Sequence, residues 1–159
     1  MIKKNTAAVF MLFMLIGALD GQAANWVKNE VDIPNKSVDS NYYDADTVKV
    51  SGKTLSWTEK FVLTDFGKKY YTKHLAEYQV CKSNIAKKGE VAYHQIDFEI
   101  KEGKFRTVAK RNYNKSNELL CNDGDMGTEF NKTWSEIGYQ SPVYFRYSEL
   151  VGKFNLGNI

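Results

Sequence analysis

Cysteine, proline and histidine are scarce in this chain of 159 residues, with two of each, and each scarcity narrows what the protein can do. His74, His94, Cys81 and Cys121 show none of the close C-x-x-C or H-x3-H spacings of a zinc site. Neither cysteine sits in a local cysteine-protease signature. The chain also lacks G-x-S-x-G, H-E-x-x-H and a phosphate-binding glycine loop, so no nucleophile, metal or nucleotide chemistry is announced by motif. An enzyme is not the expectation, and no cofactor is implied. A strong excess of one charge is missing too: 22 Lys and Arg face 19 Asp and Glu. That balance is too even to name nucleic acid or an anionic membrane as the main partner. The pairs Lys68–Lys69 and Lys87–Lys88 and the stretch "AKRNYNK" from Ala109 read as solvated faces.

Long apolar runs are absent except at the start. Lys3 and Lys4 precede an apolar run from Thr6 to Leu19 and a small-residue segment ending in Ala23 and Ala24. This is the pattern of a secretory signal peptide over residues 1–23, and the run falls short of the roughly 20 residues a membrane-spanning helix needs. The expected organisation is residues 1–23 as leader and residues 24–159 as one β-rich domain, exported to the periplasm, the medium or the cell surface, with no integral span. Without Lys3, Lys4 and Asp20 the charges stand at 20 against 18. In an oxidising compartment the default for two cysteines is a disulfide, Cys81 with Cys121. It would close a loop of about 40 residues, which the chain-entropy model values at roughly 4 kcal/mol.

What is plentiful is β-favouring sequence with a period of two. "TVKVSGKTLSWTEKFVL" reads as two strands around a turn at Ser51 to Lys53, with Val48 and Val50 on one face. Leu55, Trp57, Glu59 and Phe61 then alternate with polar neighbours. "YYTKHLAEYQV", from Tyr70, is a further candidate strand. "EVAYHQIDFEI" and "KFRTVAKRNY" form a hairpin across a turn containing Gly103, with Tyr93, Ile96, Phe98 and Ile100 supplying apolar surface. "NYNKSNELLCNDGDMGTEFNK" reads as a long polar loop. The last stretch changes period: Ser141 can cap a helix, Pro142 suits its first turn, Gly152 can close it, and Val143, Tyr144, Tyr147, Leu150 and Val151 form one stripe. The expected fold is α+β, a single antiparallel β-sheet with a short C-terminal helix packed on one face.

In "NWV" at the mature start, "YYDADTVKV", "KTLSWTEKFVL", the central Cys81 and "TWSEIGYQSP" before the last helix, the chain resembles the surface-adhesin protein E family of small exported bacterial proteins. The resemblance is loose and runs over most of the mature chain. It implies an antiparallel sheet with a helix on one face, dimers in some members, and adhesion to host extracellular and serum proteins. Two features depart from it: no lipid-bearing cysteine is present, and Cys121 lies well before the final helix rather than at the end of the domain.

Two acidic pairs invite a sharper reading. Asp44 and Asp46, in "YYDAD", could hold a metal or divide acid and base roles. In the resemblance this segment leads into a strand; Asp44 and Asp46 are expected to shape the turn, with Asp44 accepting from the amide of Asp46 or Thr47. Asp123 and Asp125 open a sequence like a calcium loop, but Gly127 falls at its fifth position where the sixth is required. A turn beside the disulfide is the better account. Ten tyrosines favour protein recognition, because tyrosine buries area and keeps a polar tip. The cluster with neighbouring charges is Lys68, Lys69, Tyr70, Tyr71, Lys73 and His74, a candidate binding patch. The expected function is that of an exported, non-enzymatic, adhesin-like binding protein recognising a host extracellular or envelope protein. The alternatives are a small periplasmic enzyme or enzyme inhibitor, and a structural periplasmic protein that forms a homodimer through a sheet edge.

Overall fold

The computed structural model of the protein describes residues 24–30, 35–127 and 133–157. The expected leader, residues 1–23, lies outside them. Eight strands form one antiparallel sheet among these residues: β1 (Trp26–Lys28), β2 (Val38–Asp44), β3 (Lys49–Ser51), β4 (Thr54–Leu63), β5 (Tyr93–Lys101), β6 (Lys104–Tyr113), β7 (Leu119–Asn122) and β8 (Ser135–Glu136). Three α-helices accompany them: α1 (Asp65–Leu75), α2 (Gln79–Lys88) and α3 (Pro142–Phe154).

The sheet follows the alternation in the sequence. In β4, Leu55, Trp57, Glu59 and Leu63 are buried while the side chains between them are not. Their partners on β5 are Ile100 opposite Leu55, Phe98 opposite Trp57 and Ile96 opposite Glu59, so one face gathers the apolar set. Tyr93 belongs to the opposite face, where it stacks on Tyr113 at 5.0 Å between ring centroids. The order β1-β2-β4-β5-β6-β7 runs across the sheet, with β3 continuing the β2 flank of β4 and β8 sharing the β7 side of β6. The β5–β6 turn is the two residues Glu102 and Gly103, with φ of 50° and 75°. Two positive φ values make the primed turn that suits the strand twist, and glycine takes the second without penalty.

Two expectations are corrected here. The segment from Tyr70 to Val80, expected as a strand, is the second half of α1 and the start of α2. The aromatics favour a strand locally, but Thr64 caps the helix, its Oγ1 accepting the Gly67 N–H at 3.0 Å, and Asp65 supplies negative charge to the first turn. Tyr71 and Leu75, one turn apart, then reach the core cluster of Leu63, Cys81, Val91, Leu120 and Cys121. The expected long loop after Tyr113 contains β7, whose Leu120 and Cys121 are fully buried. Part of that loop, residues 128–132, lies outside the described residues.

The start of α1 is held very close to the chain before β2. Thr64 Oγ1 donates to the Lys36 carbonyl at 2.7 Å and the Thr64 amide donates to the Ser37 carbonyl at 3.1 Å. Gly67 makes the approach possible, since a Cβ there would lie 2.1 Å from the Ser37 oxygen. Cys81 of α2 is disulfide-bonded to Cys121 of β7, with 5.1 Å between their Cα atoms. This joins the helical segment to the far edge of the sheet.

A second core cluster is Tyr43, Leu55, Trp57, Ile100 and Leu150, with Val143 and Tyr147 against it. Here α3 meets the residues of β2, β4 and β5. Ser141 caps α3, accepting the Tyr144 N–H at 3.2 Å, and Pro142 sits at its first turn. Gly152 does not close this helix. It lies inside, and Asn155 at φ 52° ends it, because asparagine adopts the left-handed conformation with little strain. Val48 lies outside the strands and joins the second cluster, whereas Val50 of β3 is 42% exposed.

Candidate functional site

In the acidic pair of "YYDAD", Asp44 is occupied with nearby backbone and Asp46 accepts from the Asn25 side-chain amide at 3.5 Å. Asp44 Oδ1 accepts from the amides of Asp46 at 3.2 Å and Asn25 at 3.1 Å, and Thr47 Oγ1 donates to the Asp44 carbonyl at 2.8 Å. These bonds cap the 3-10 turn Ala45–Thr47 that separates β2 from β3, and they tie down the beginning of β1. The second pair is engaged in the same way: Asp123 Oδ2 accepts the Lys110 amide at 2.7 Å and Asp125 Oδ2 the Asn122 amide at 2.9 Å. Among the described residues, no cluster of three His, Cys, Asp or Glu side chains could hold a metal ion.

The six residues of the candidate patch all lie on α1, but the helix divides them. Tyr71 turns inward, its ring against His94 at 4.3 Å between centroids, with Lys110 Nζ 5.0 Å from the ring. Lys69, Tyr70, Lys73 and His74 face outward. Tyr70 stands between Phe66 and His74 at helical spacing, with centroid distances of 6.2 and 6.4 Å and nearly parallel planes. Phe66 is 45% and Tyr70 54% exposed, and Lys36 Nζ lies 4.2 Å above the Phe66 ring. Phe66 was not among the candidate residues; its four-residue spacing from Tyr70 is the signal that identifies it once a helix is assigned.

Beneath α1 lies a buried basic group. His94 is 3% exposed, and burial, reinforced by Lys110, pushes its imidazole down to about 3. Lys110 is itself lowered by burial, an effect opposed by Asp123. Tyr71 is raised by burial and by Tyr70. His74 is exposed on α1 while His94 is buried, and among the described residues no cluster of three His, Cys, Asp or Glu side chains unites the histidines with other ligands.

A cavity of about 210 Å³ is bounded by β2, β4, β5 and α3. Trp57, Phe61, Phe98 and Val143 supply apolar walls. Trp57 and Phe98 are stacked at 5.4 Å and Phe61 meets Phe98 edge-on at 6.5 Å. The polar lining includes Asn41, Glu59 and Arg146. Glu59 Oε1 accepts from Trp57 Nε1–H at 2.9 Å and from Arg146 Nε–H at 2.7 Å. Burial raises the Glu59 carboxyl while Arg146 and the two hydrogen bonds lower it, with burial the larger effect. Arg146 also bonds Glu149, which pairs with Lys153 at 3.0 Å. Asn41 Oδ1 is buried without a hydrogen-bond partner among the described residues.

No protein-family model, curated protein or solved structure matches this chain. No described helix is long and apolar enough to cross a membrane.

Proposed function

We propose that this is an exported, non-enzymatic binding protein of adhesin-like character, working in the periplasm or at the cell surface, that recognises another protein through the outer face of α1. The observation that carries this reading is the stacked Phe66–Tyr70–His74 stripe, which leaves two large aromatic rings open to solvent on a helix fixed at both ends. Exposed aromatics on a rigid element make recognition anchors, because little conformational freedom is lost when they are covered. Lys36, Lys69 and Lys73 accompany the stripe. The partner surface that complements it therefore offers an apolar pocket with carboxylates around it. The disulfide suits an oxidising compartment, and the order of sequence features resembles the protein E adhesins.

The test combines location with binding. Protease treatment of intact cells, beside osmotic release of the periplasm, decides whether host or envelope proteins form the panel. The purified protein is expected to bind a member of that panel at micromolar concentration or tighter, and the Phe66→Ala, Tyr70→Ala variant to lose at least about tenfold in affinity with unchanged thermal unfolding. No binding across both panels, or binding indifferent to the double substitution, sinks the assignment.

A further inference from the structure

We propose that the cavity between the sheet and α3 is a binding site for a small, neutral, planar aromatic molecule carrying one N–H or O–H donor, and that Asn41 receives that donor. The site is distinct from the outer face of α1 and does not depend on the protein-binding reading.

Three observations define the ligand. The volume, about 210 Å³, is below the roughly 300–1,000 Å³ of drug-sized sites, so the occupant is one or two rings in size. Its walls include the mutually stacked Trp57 and Phe98 and the edge-on Phe61, which favour a flat aromatic guest by offset and edge-to-face contact.

Charge sets the second limit. Glu59 and Arg146 are the two charged side chains among the lining residues, and they pair with each other at 2.7 Å. One anion meets one cation, so the lining leaves no net charge for an ionic ligand to neutralise. A charged guest would be stripped of water without compensation, whereas a neutral one would not.

The third observation gives the polarity of the hydrogen bond. Asn41 is 9% exposed, lines the cavity, and its Oδ1 has no partner among the described residues. A buried acceptor left unpaired costs free energy comparable to a lost hydrogen bond, and such groups in native proteins call for an explanation. Among the lining side chains, Asn41 Oδ1 is the buried polar atom left without a partner, so a guest that brings a donor satisfies it and a guest bearing only acceptors does not.

Indole and 1-methylindole are the probes, since they share shape and differ in the donor. Indole titrated into the isotopically labelled protein is expected to shift the Trp57 Nε1–H and Val143 methyl signals saturably, in the millimolar range or below. 1-Methylindole should bind about tenfold more weakly, the effect of one unfilled buried acceptor. Asn41→Leu should remove the difference between the two probes. Val143→Phe, a change on α3 that fills the cavity and leaves the sheet untouched, should abolish both sets of shifts while thermal unfolding remains cooperative. Absence of saturable shifts, persistence of the shifts in Val143→Phe, or equal affinity for the two probes in the unaltered protein would each overturn the proposal. Should Asn41→Leu not fold, the comparison of the two probes in the unaltered protein still decides the role of the donor.

Discussion

Arg146 of α3 donates its Nε–H to Glu59 of β4 at 2.7 Å, across 87 residues of sequence, with both side chains 6% exposed. Burial makes the two charges interdependent: neither is well solvated, and each tolerates its site because the other is there. Arg146→Met is therefore expected to cost roughly 3–5 kcal/mol, the usual effect of stranding one buried charge. Replacing both, Glu59→Met with Arg146→Met, should cost clearly less than the single change, because Glu59 is no longer left as an unpaired buried charge and Glu149 keeps its pair with Lys153. Urea unfolding of the two variants checks this. A double variant less stable than Arg146→Met would show that the ionic pair itself, rather than its completeness, supports α3.

The close approach at the start of α1 gives a second expectation. Alanine ordinarily stabilises a helix relative to glycine by up to about 1 kcal/mol. At Gly67 the sign reverses, because the added Cβ would sit 2.1 Å from the Ser37 carbonyl oxygen, a backbone atom that cannot rotate away. Gly67→Ala should destabilise by roughly 1–3 kcal/mol through forced displacement of α1 from the Lys36–Ser37 turn. Thermal unfolding reads the sign directly, and Gly152→Ala is the control. Nothing lies within 4 Å of the position a Cβ would take there, and the ordinary helix preference should hold.

Alternation made the central strands legible, because Leu55, Trp57 and Phe61 repeat at period two and the Glu102–Gly103 turn is short and glycine-bearing. The same rule misread α1. Tyr70 and Tyr71 favour a strand by residue type, whereas the decisive signals were the Thr64 cap and the four-residue spacing of Phe66, Tyr70 and His74. β7 escaped notice because four residues in a polar setting carry too little pattern, and it is the burial of Leu120 and Cys121 that holds it. The cavity was not legible at all. Glu59 stood visibly on the apolar side of its strand, but only the tertiary arrangement brings Arg146 to it and sets Asn41 beside both.

The Cys81–Cys121 bond ties α2 to the sheet edge across a sequence separation of 40. Both residues are fully buried in the cluster with Leu63, Leu75, Val91 and Leu120. Loop-closure entropy alone assigns such a link about 4 kcal/mol. The double replacement Cys81→Ala, Cys121→Ala should lower stability by about that amount or somewhat more, since two buried sulfurs are also lost. Denaturant unfolding of this variant, compared with the unaltered protein with and without reductant, checks the figure. A loss below about 1 kcal/mol would mean that the unfolded chain is little constrained by the link.

The buried His94 predicts how stability responds to acid. In the folded protein its imidazole is pushed down to about 3 by burial and by Lys110, while in the unfolded chain it titrates near its ordinary value of 6.5. The unfolded state therefore binds more protons between those values, and stability falls as pH falls through that window. The contribution is fully present above pH 6.5, and its ceiling from the two values is roughly 5 kcal/mol. Tyr71 and Lys110 face the same ring, and neither relieves the penalty, since one is raised by burial and the other is a cation. His94→Phe keeps an aromatic ring in the site and removes the titration. Urea unfolding of both proteins at pH 7 and pH 4 should show the unaltered protein losing more stability on acidification than the variant. Carboxylates elsewhere act on both proteins alike, so the difference between the two belongs to His94; equal losses would mean that the ring takes up its proton in the fold as readily as in the open chain.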